Sequence, residues 1–366
     1  MRRLVVLLTL AAIAIPAHAA QRATVEDLQR ILAAESEAHE KDGAIAHRLG
    51  SVELTERLTD PTLEKIVANF KPGPKTTLAL EMLADVSSFL EPPASELPDK
   101  DPPDKATQQS MIDGAANFAA NTLHRLPDFL ATRETRSFDD SSPLVPNSAA
   151  LNLDMPTDLH LTNSYSERIT YKEGQELSIT PNGKTKPEAT PQGLSSSGEF
   201  GPTLITLLVD SAKGRIVWSH WEQMPTGLAA VFSYEVPANV SRYKVDYCCT
   251  RGATDNNDGS NSYHGTPGYH GFIYIDPATG AVLRYTLNSE LRDSDAITRS
   301  AVLVQYGEVS IGGNNYLCPV RSEAVMEGWH ATGSPPRLTT VLSINEVSFT
   351  DYRHFGSTAR VLPATP

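Results

Sequence analysis

The side chains with the most chemical potential in this sequence are three cysteines, a pair of histidines, an acidic loop and a serine flanked by glycine. Cys248, Cys249 and Cys318 all lie in the carboxy-terminal half. In an oxidising compartment three cysteines give one disulfide and one thiol left over; three reduced core thiols or a metal site are the alternatives, and without a C-x-x-C pair zinc gains little support. Gly193-Leu194-Ser195-Ser196-Ser197-Gly198 approaches a nucleophile elbow, but G-x-S-x-G needs glycine two residues after the serine, where Ser197 stands. Asp255-Asn256-Asn257-Asp258-Gly259 suggests calcium, yet counting from Asp255 glycine falls fifth and Thr266 twelfth, against the sixth-position glycine and twelfth-position glutamate of an EF-hand loop. His264 and His270 flank a Gly/Pro segment and lack helical ligand spacing, so they read as a loop residue and a strand cap. Trp218, His220 and Trp221 form an aromatic cluster on a strand, a pattern that serves a core or interface more often than a stacking platform. No catalytic residue, metal site or cofactor is expected from these patterns.

The elements that would position such residues fall into three stretches. Met1-Arg2-Arg3, the apolar run Leu4 to Ile15, Pro16 and Ala17-His18-Ala19 have the order of a cleavable signal peptide, residues 1–19, so an exported, periplasmic or extracellular protein is expected. The apolar run is too short to span a bilayer, and no other stretch reads as a transmembrane span. Residues 20–125 carry helical periodicity: Thr24 caps a first helix, Asp60-Pro61 opens another, and Leu78, Met82, Leu83, Val86 and Leu90 share a face. Residues 126–366 alternate instead. Hairpin chemistry at Lys172-Glu173-Gly174-Gln175, Asp276 to Gly280 and Gly312-Gly313-Asn314 predicts an antiparallel meander of about twelve strands. The fold class expected is α+β: a small helical module followed by a strongly curved antiparallel sheet, an open β-barrel, with one covering helix after Gly201-Pro202.

The chain carries 44 acidic against 31 basic residues, a net charge of −13, and loss of Arg2 and Arg3 with the leader makes it two charges more negative. Nucleic acid and anionic membrane surfaces are therefore poor partners. Alternation puts Leu228, Ala230, Phe232, Tyr234 and Val236 on one strand face, and Tyr243, Val245, Tyr247 and Cys249 on one face of the next. Phe232, Tyr234, Tyr243 and Tyr247 are the candidate ligand-binding residues. Strand phase selects Cys249 over Cys248 as the disulfide partner of Cys318.

The order of export signal, early strand, hairpin, single helix after a Gly-rich loop and β-meander over residues 126–366 resembles the open β-barrels of the bacterial lipoprotein carrier and receptor superfamily. That resemblance implies binding of acyl chains or lipoprotein segments in a concave face, and it carries no functional residue across. The strings Leu54-Thr55-Glu56-Arg57-Leu58, Ala131-Thr132-Arg133, Gly198-Glu199-Phe200-Gly201-Pro202, Tyr247-Cys248-Cys249, Gly268-Tyr269-His270-Gly271 with Ile275-Asp276-Pro277, and Tyr316-Leu317-Cys318-Pro319-Val320 resemble an uncharacterised family of exported bacterial proteins. The function expected is non-catalytic binding of a lipid, acyl chain or envelope-protein segment. A structural envelope protein without ligand and a thiol- or His-dependent hydrolase are the alternatives.

Overall fold

The computed structural model describes residues 21–122, 125–140, 159–179, 185–186, 194, 197–248, 262–332 and 337–354. The expected leader, the Asp255 to Gly259 loop, Ser195 and Cys249 lie outside them. The chain forms two compact units, one up to Ala84 and one from Asp85. The change of sequence pattern at 126 falls inside the second.

The first unit holds β1 (Gln21–Ala23), α1 (Val25–Glu37), α2 (Asp42–Leu49), β2 (Val52–Leu54), α3 (Asp60–Phe70) and most of α4 (Pro74–Ser87). Thr24 caps α1 as expected, and Asp27 closes a capping box by accepting from the Thr24 backbone N–H. Asp42 caps α4 from a distance, accepting from the backbone N–H groups of Thr76 at 2.9 Å and Lys75 at 3.0 Å. The Thr76 side chain first, and then these backbone bonds, hold its carboxyl below the usual range. β1 and β2 pair in parallel, and the core gathers Leu28, Leu32, Leu49, Leu58, Ile66 and Leu80.

The second unit contains α5 (Lys105–Thr122), β3 (Phe129–Asp139), β4 (His160–Lys172), β5 (Gln175–Ile179), β6 (Thr185–Lys186), α6 (Pro202–Ser211), β7 (Arg215–Met224), β8 (Gly227–Val236), β9 (Val245–Cys248), β10 (Ser262–Gly265), β11 (Tyr269–Ile275), β12 (Val282–Ser289), β13 (Ile297–Ile311), β14 (Asn314–Thr332) and β15 (Arg337–His354). Eleven of these strands form one antiparallel sheet in the order β6-β5-β4-β3-β15-β14-β13-β12-β11-β8-β7, and it is not closed: β6 and β7 stand at its two ends. Most neighbours are consecutive, as short hairpin links require. The exceptions are β15 beside β3 and β11 beside β8.

One expectation about strand order is corrected. β9 does not follow β8 in the sheet; residues 237–241 turn the chain away through Val240 N–H to Pro237 O, and β9 pairs with β10 in a separate two-stranded sheet. The strand expected over His354 to Leu362 lies, beyond His354, outside the described residues, and the one expected over Leu338 to Phe349 is contained in β15, which reaches His354. β15 is interrupted by a register shift between Thr350 and Arg353, where Asp351 takes φ +53°. The face alternation of β7 shifts at Ser219, which brings Trp218 and Trp221 together on the side of Phe232, with ring centroids 4.9 Å apart.

One face of the sheet is covered by α5 and α6. Ala115 and Ala119 of α5 and Leu204 and Leu207 of α6 pack on Ala230, Phe232, Val236, Ile273 and Val304. The contact of α5 is close because it lies against a glycine turn: a Cβ on Gly280 would come within 2.7 Å of the Gly114 carbonyl carbon. On the opposite face, Ser88 donates to Glu323 at 2.6 Å, and Arg321 contacts Asp85 at 2.7 Å and Glu323 at 2.6 Å. Burial keeps Glu323 protonated to higher pH than an ordinary glutamate, although Arg321 opposes the shift.

Candidate binding face

Register carries one row of side chains across the sheet under the helices: Trp218, Phe232, Ile273, Tyr285, Val304 and Ser322 are successive partners on six adjacent strands. Phe232 lies edge-on to Trp218 at 5.4 Å and is 1% exposed. Beside this row, Tyr234 faces Gly271, and its hydroxyl donates to the Thr286 carbonyl at 2.7 Å. A Cβ on Gly271 would stand 2.0 Å from that same oxygen, so only glycine leaves this passage open.

Three more tyrosines join Tyr234 and Tyr285 on the face. Tyr269 stacks edge-on with Tyr234 at 5.9 Å and donates to Asp210 at 3.1 Å. Asp210 is fully buried near the end of α6 and also accepts from the Arg242 backbone N–H at 2.8 Å and the Arg242 Nε at 2.7 Å. It therefore latches α6 to β11 and to the segment after β8. Tyr306 donates to the Glu199 carbonyl at 2.9 Å, just ahead of α6. Tyr285 sits 6.3 Å from the Tyr306 ring and is fully buried, and its hydroxyl has no hydrogen-bond partner among the described residues. The Ser322 hydroxyl, in the same row two strands away, also has none.

Tyr243 lies between β8 and β9, packs against this cluster and approaches the Tyr269 ring to 5.7 Å. Burial, with Glu199 second, pushes its phenol up to about 12. The phenols of Tyr234, Tyr285, Tyr269 and Tyr306 are likewise raised, burial being the first cause in each. At neutral pH these groups are uncharged hydrogen-bond donors, with no base or nucleophile among them. Phe232, Tyr234 and Tyr243 are thus brought together. Tyr247 is not: it lies opposite Tyr263 in the β9–β10 pair.

Cys318 carries a free thiol, buried among Phe129, Ile169, Phe200 and Ile311, and burial pushes it up to about 12. A nucleophilic cysteine needs the opposite shift. Its expected partner Cys249 lies outside the described residues. His264 pairs with Asp246 at 3.0 Å and His270 with Glu290 at 3.7 Å, so the two histidines face different carboxylates. Among the described residues no group of three His, Cys, Asp or Glu is placed to hold a metal, and no helix is long and apolar enough to cross a membrane.

Sequence reasoning missed Asp210, Tyr269, Tyr285 and Tyr306. The only signal for Asp210 was an acidic residue at the end of an apolar run, and its partners are 32 and 59 residues away.

No family model matches the chain, and no curated protein does. Two solved structures are similar. A DUF1329 family protein from Desulfovibrio piger shares 9% identity over 67% of this chain and 92% of its own, with a TM-score of 0.26. A putative outer membrane lipoprotein-sorting protein domain from Vibrio parahaemolyticus shares 12% identity over 69% of this chain and 94% of its own, also at 0.26. Neither likeness is close enough to carry an argument about fold or function.

Proposed function

We propose that the protein is a non-catalytic binding protein of the export compartment that takes an apolar or amphipathic chain, a lipid acyl chain or a lipoprotein segment, onto the tyrosine-rich face in the place of α6. The observation that carries the reading is how this face is closed. α6 is a ten-residue helix entered at Gly201, whose φ of +137° favours glycine, and it is held at its far end by Asp210. Leu204 and Leu207 are buried beneath it, while Val209 is 40% exposed. An acyl chain offers the same apolar contact as those leucines, and its polar end finds an uncommitted donor at Tyr285.

The second reading is a structural envelope protein without ligand. It is favoured by the packing as it stands, since Phe232, Tyr234 and Tyr285 are at most 3% exposed. The two separate experimentally. Protein purified from its own compartment is extracted with organic solvent and analysed for stoichiometric lipid. The stripped protein and its Asp210→Asn variant are then titrated with dansyl-labelled undecanoic acid. Saturable one-site binding, tighter in the variant whose helix is less firmly latched, supports the exchange of α6 for a chain. If no lipid co-purifies and neither protein binds the probe, the structural reading stands instead.

A further inference from the structure

A cleft of about 310 Å³ opens on the other face of β7, β8 and β11, where Tyr234 and Gly271 contribute to its lining between the outward-facing residues. Its floor is one register row, Val217, Ser233 and Phe272, in which the short serine between two larger side chains makes the depression. Val217 is 38% exposed, an apolar side chain left in solvent on a strand. The rim is the polar row beside it, where Arg215 and His270 each stand opposite Glu235, and Glu290 closes the end with Oε1 3.7 Å from His270 Nδ1. Arg215 has the Glu235 carboxylate as its cross-strand neighbour, which leaves Glu290 as the second negative charge. The rim thus carries two carboxylates, one guanidinium and the His270 imidazole that pairs with Glu290, in a chain of net charge −13, so the field at the cleft favours a cation.

The volume stands at the lower end of the range for small-molecule sites, and the lining combines an apolar floor with a few polar groups at one rim. We propose that this cleft binds a small aliphatic amine: an ammonium between Glu235 and Glu290, with a stem of about four to six carbons lying on Val217 and Phe272. The site is separate from the face covered by α6, and its failure leaves that reading untouched.

The test uses the full mature chain and n-hexylammonium, hexanoate and hexanol, followed by calorimetry and by fluorescence of Trp218, the neighbour of Val217 on β7. Hexylammonium is expected to bind at one site and hexanoate not at all. Glu290→Gln should weaken hexylammonium about fivefold, the scale of a solvent-screened ion pair. Arg215→Gln should strengthen it, and Val217→Ser should weaken both hexylammonium and hexanol. Circular dichroism and urea midpoints of the variants check that each folds as the parent does. Equal binding of hexanoate, indifference to Glu290→Gln in a folded variant, or no binding of hexylammonium at millimolar concentration overturns the proposal. So does binding of a lysine-containing peptide alone, which would make the cleft a polypeptide contact.

Discussion

Removing one hydroxyl from two neighbouring tyrosines should change stability in opposite directions. Tyr234 and Tyr285 lie on the same covered face, at 3% and 0% exposure. The Tyr234 hydroxyl donates to the Thr286 carbonyl at 2.7 Å, whereas that of Tyr285 is desolvated with no partner. Tyr234→Phe loses a hydrogen bond and leaves a buried carbonyl short of a donor, a cost of about 1 kcal/mol. Tyr285→Phe removes a polar group that folding leaves unpaired, and a gain of about 1 kcal/mol follows from the penalty for burying such a hydroxyl. All three tryptophans, Trp218, Trp221 and Trp329, belong to the unit that holds the sheet, so fluorescence during urea denaturation reports on that unit. With an m-value of about 3 kcal/mol/M, the two variants should differ in midpoint by about 0.7 M, on opposite sides of the parent. A destabilised Tyr285→Phe, shifted as far as Tyr234→Phe, would falsify the view that this hydroxyl is uncommitted and available to a ligand.

Gly271→Ala should destabilise the sheet unit by about 3 kcal/mol, read by the same denaturation, because the new Cβ meets the Thr286 backbone in a packed core; a loss under 1 kcal/mol would show that β11 and β12 can separate freely. Asp210→Ala should cost about 3 kcal/mol, since it strands the Tyr269 hydroxyl and the Arg242 backbone N–H, while Arg242→Ala, whose partner keeps two donors and whose own side chain is half exposed, should cost about 1 kcal/mol. Asp140 is pushed up to about 6 by burial, against the Leu342 N–H that it accepts. Its folded pKa lies above the unfolded value near 3.9, so the native state binds the extra proton and stability should fall as pH rises from 4 through 6, by up to about 1 kcal/mol after solvent screening. Asp140→Asn should flatten that part of the pH profile, and an unchanged slope would assign it to another group. Cys318 should resist a thiol reagent at pH 8 in the folded protein and react fully in urea; peptide mapping that finds it bridged to Cys249 would instead establish the expected disulfide.

Local pattern carried the strands and turns a long way. The alternation of Ala230, Phe232, Tyr234 and Val236 reads directly as one buried face of β8, and Asp276 to Gly280 reads as the turn between β11 and β12. What local pattern does not contain is which strand lies next to which. β15 beside β3 joins residues some 200 positions apart, and nothing in the sequence of either strand marks the other as its neighbour. Alternation puts Tyr243 and Tyr247 on one face of a single strand following β8. Once residues 237–241 leave the sheet, Tyr243 reaches the core from a loop and Tyr247 lies in another pair of strands. Trp218 and Trp221, three apart, belong on opposite faces of a regular strand; only the shift at Ser219 puts them together, and no residue type there announces it.

The site was legible in kind and not in detail, because burial of a polar residue is a property of its partners. Alternation predicts that a tyrosine points into the covered face, but not whether its hydroxyl finds an acceptor there. Tyr234 and Tyr269 find the Thr286 carbonyl and Asp210, from β12 and α6; Tyr285, equally buried, finds none. A face meant only to be filled would be expected to carry phenylalanine at that position, as it does at Phe232 in the same row. The hydroxyl at the centre of the row, unpaired among the described residues, favours the binding reading. It makes the sign of the Tyr285→Phe effect, followed by loss of acyl-probe binding in that variant, the sharper test of what the covered face is for.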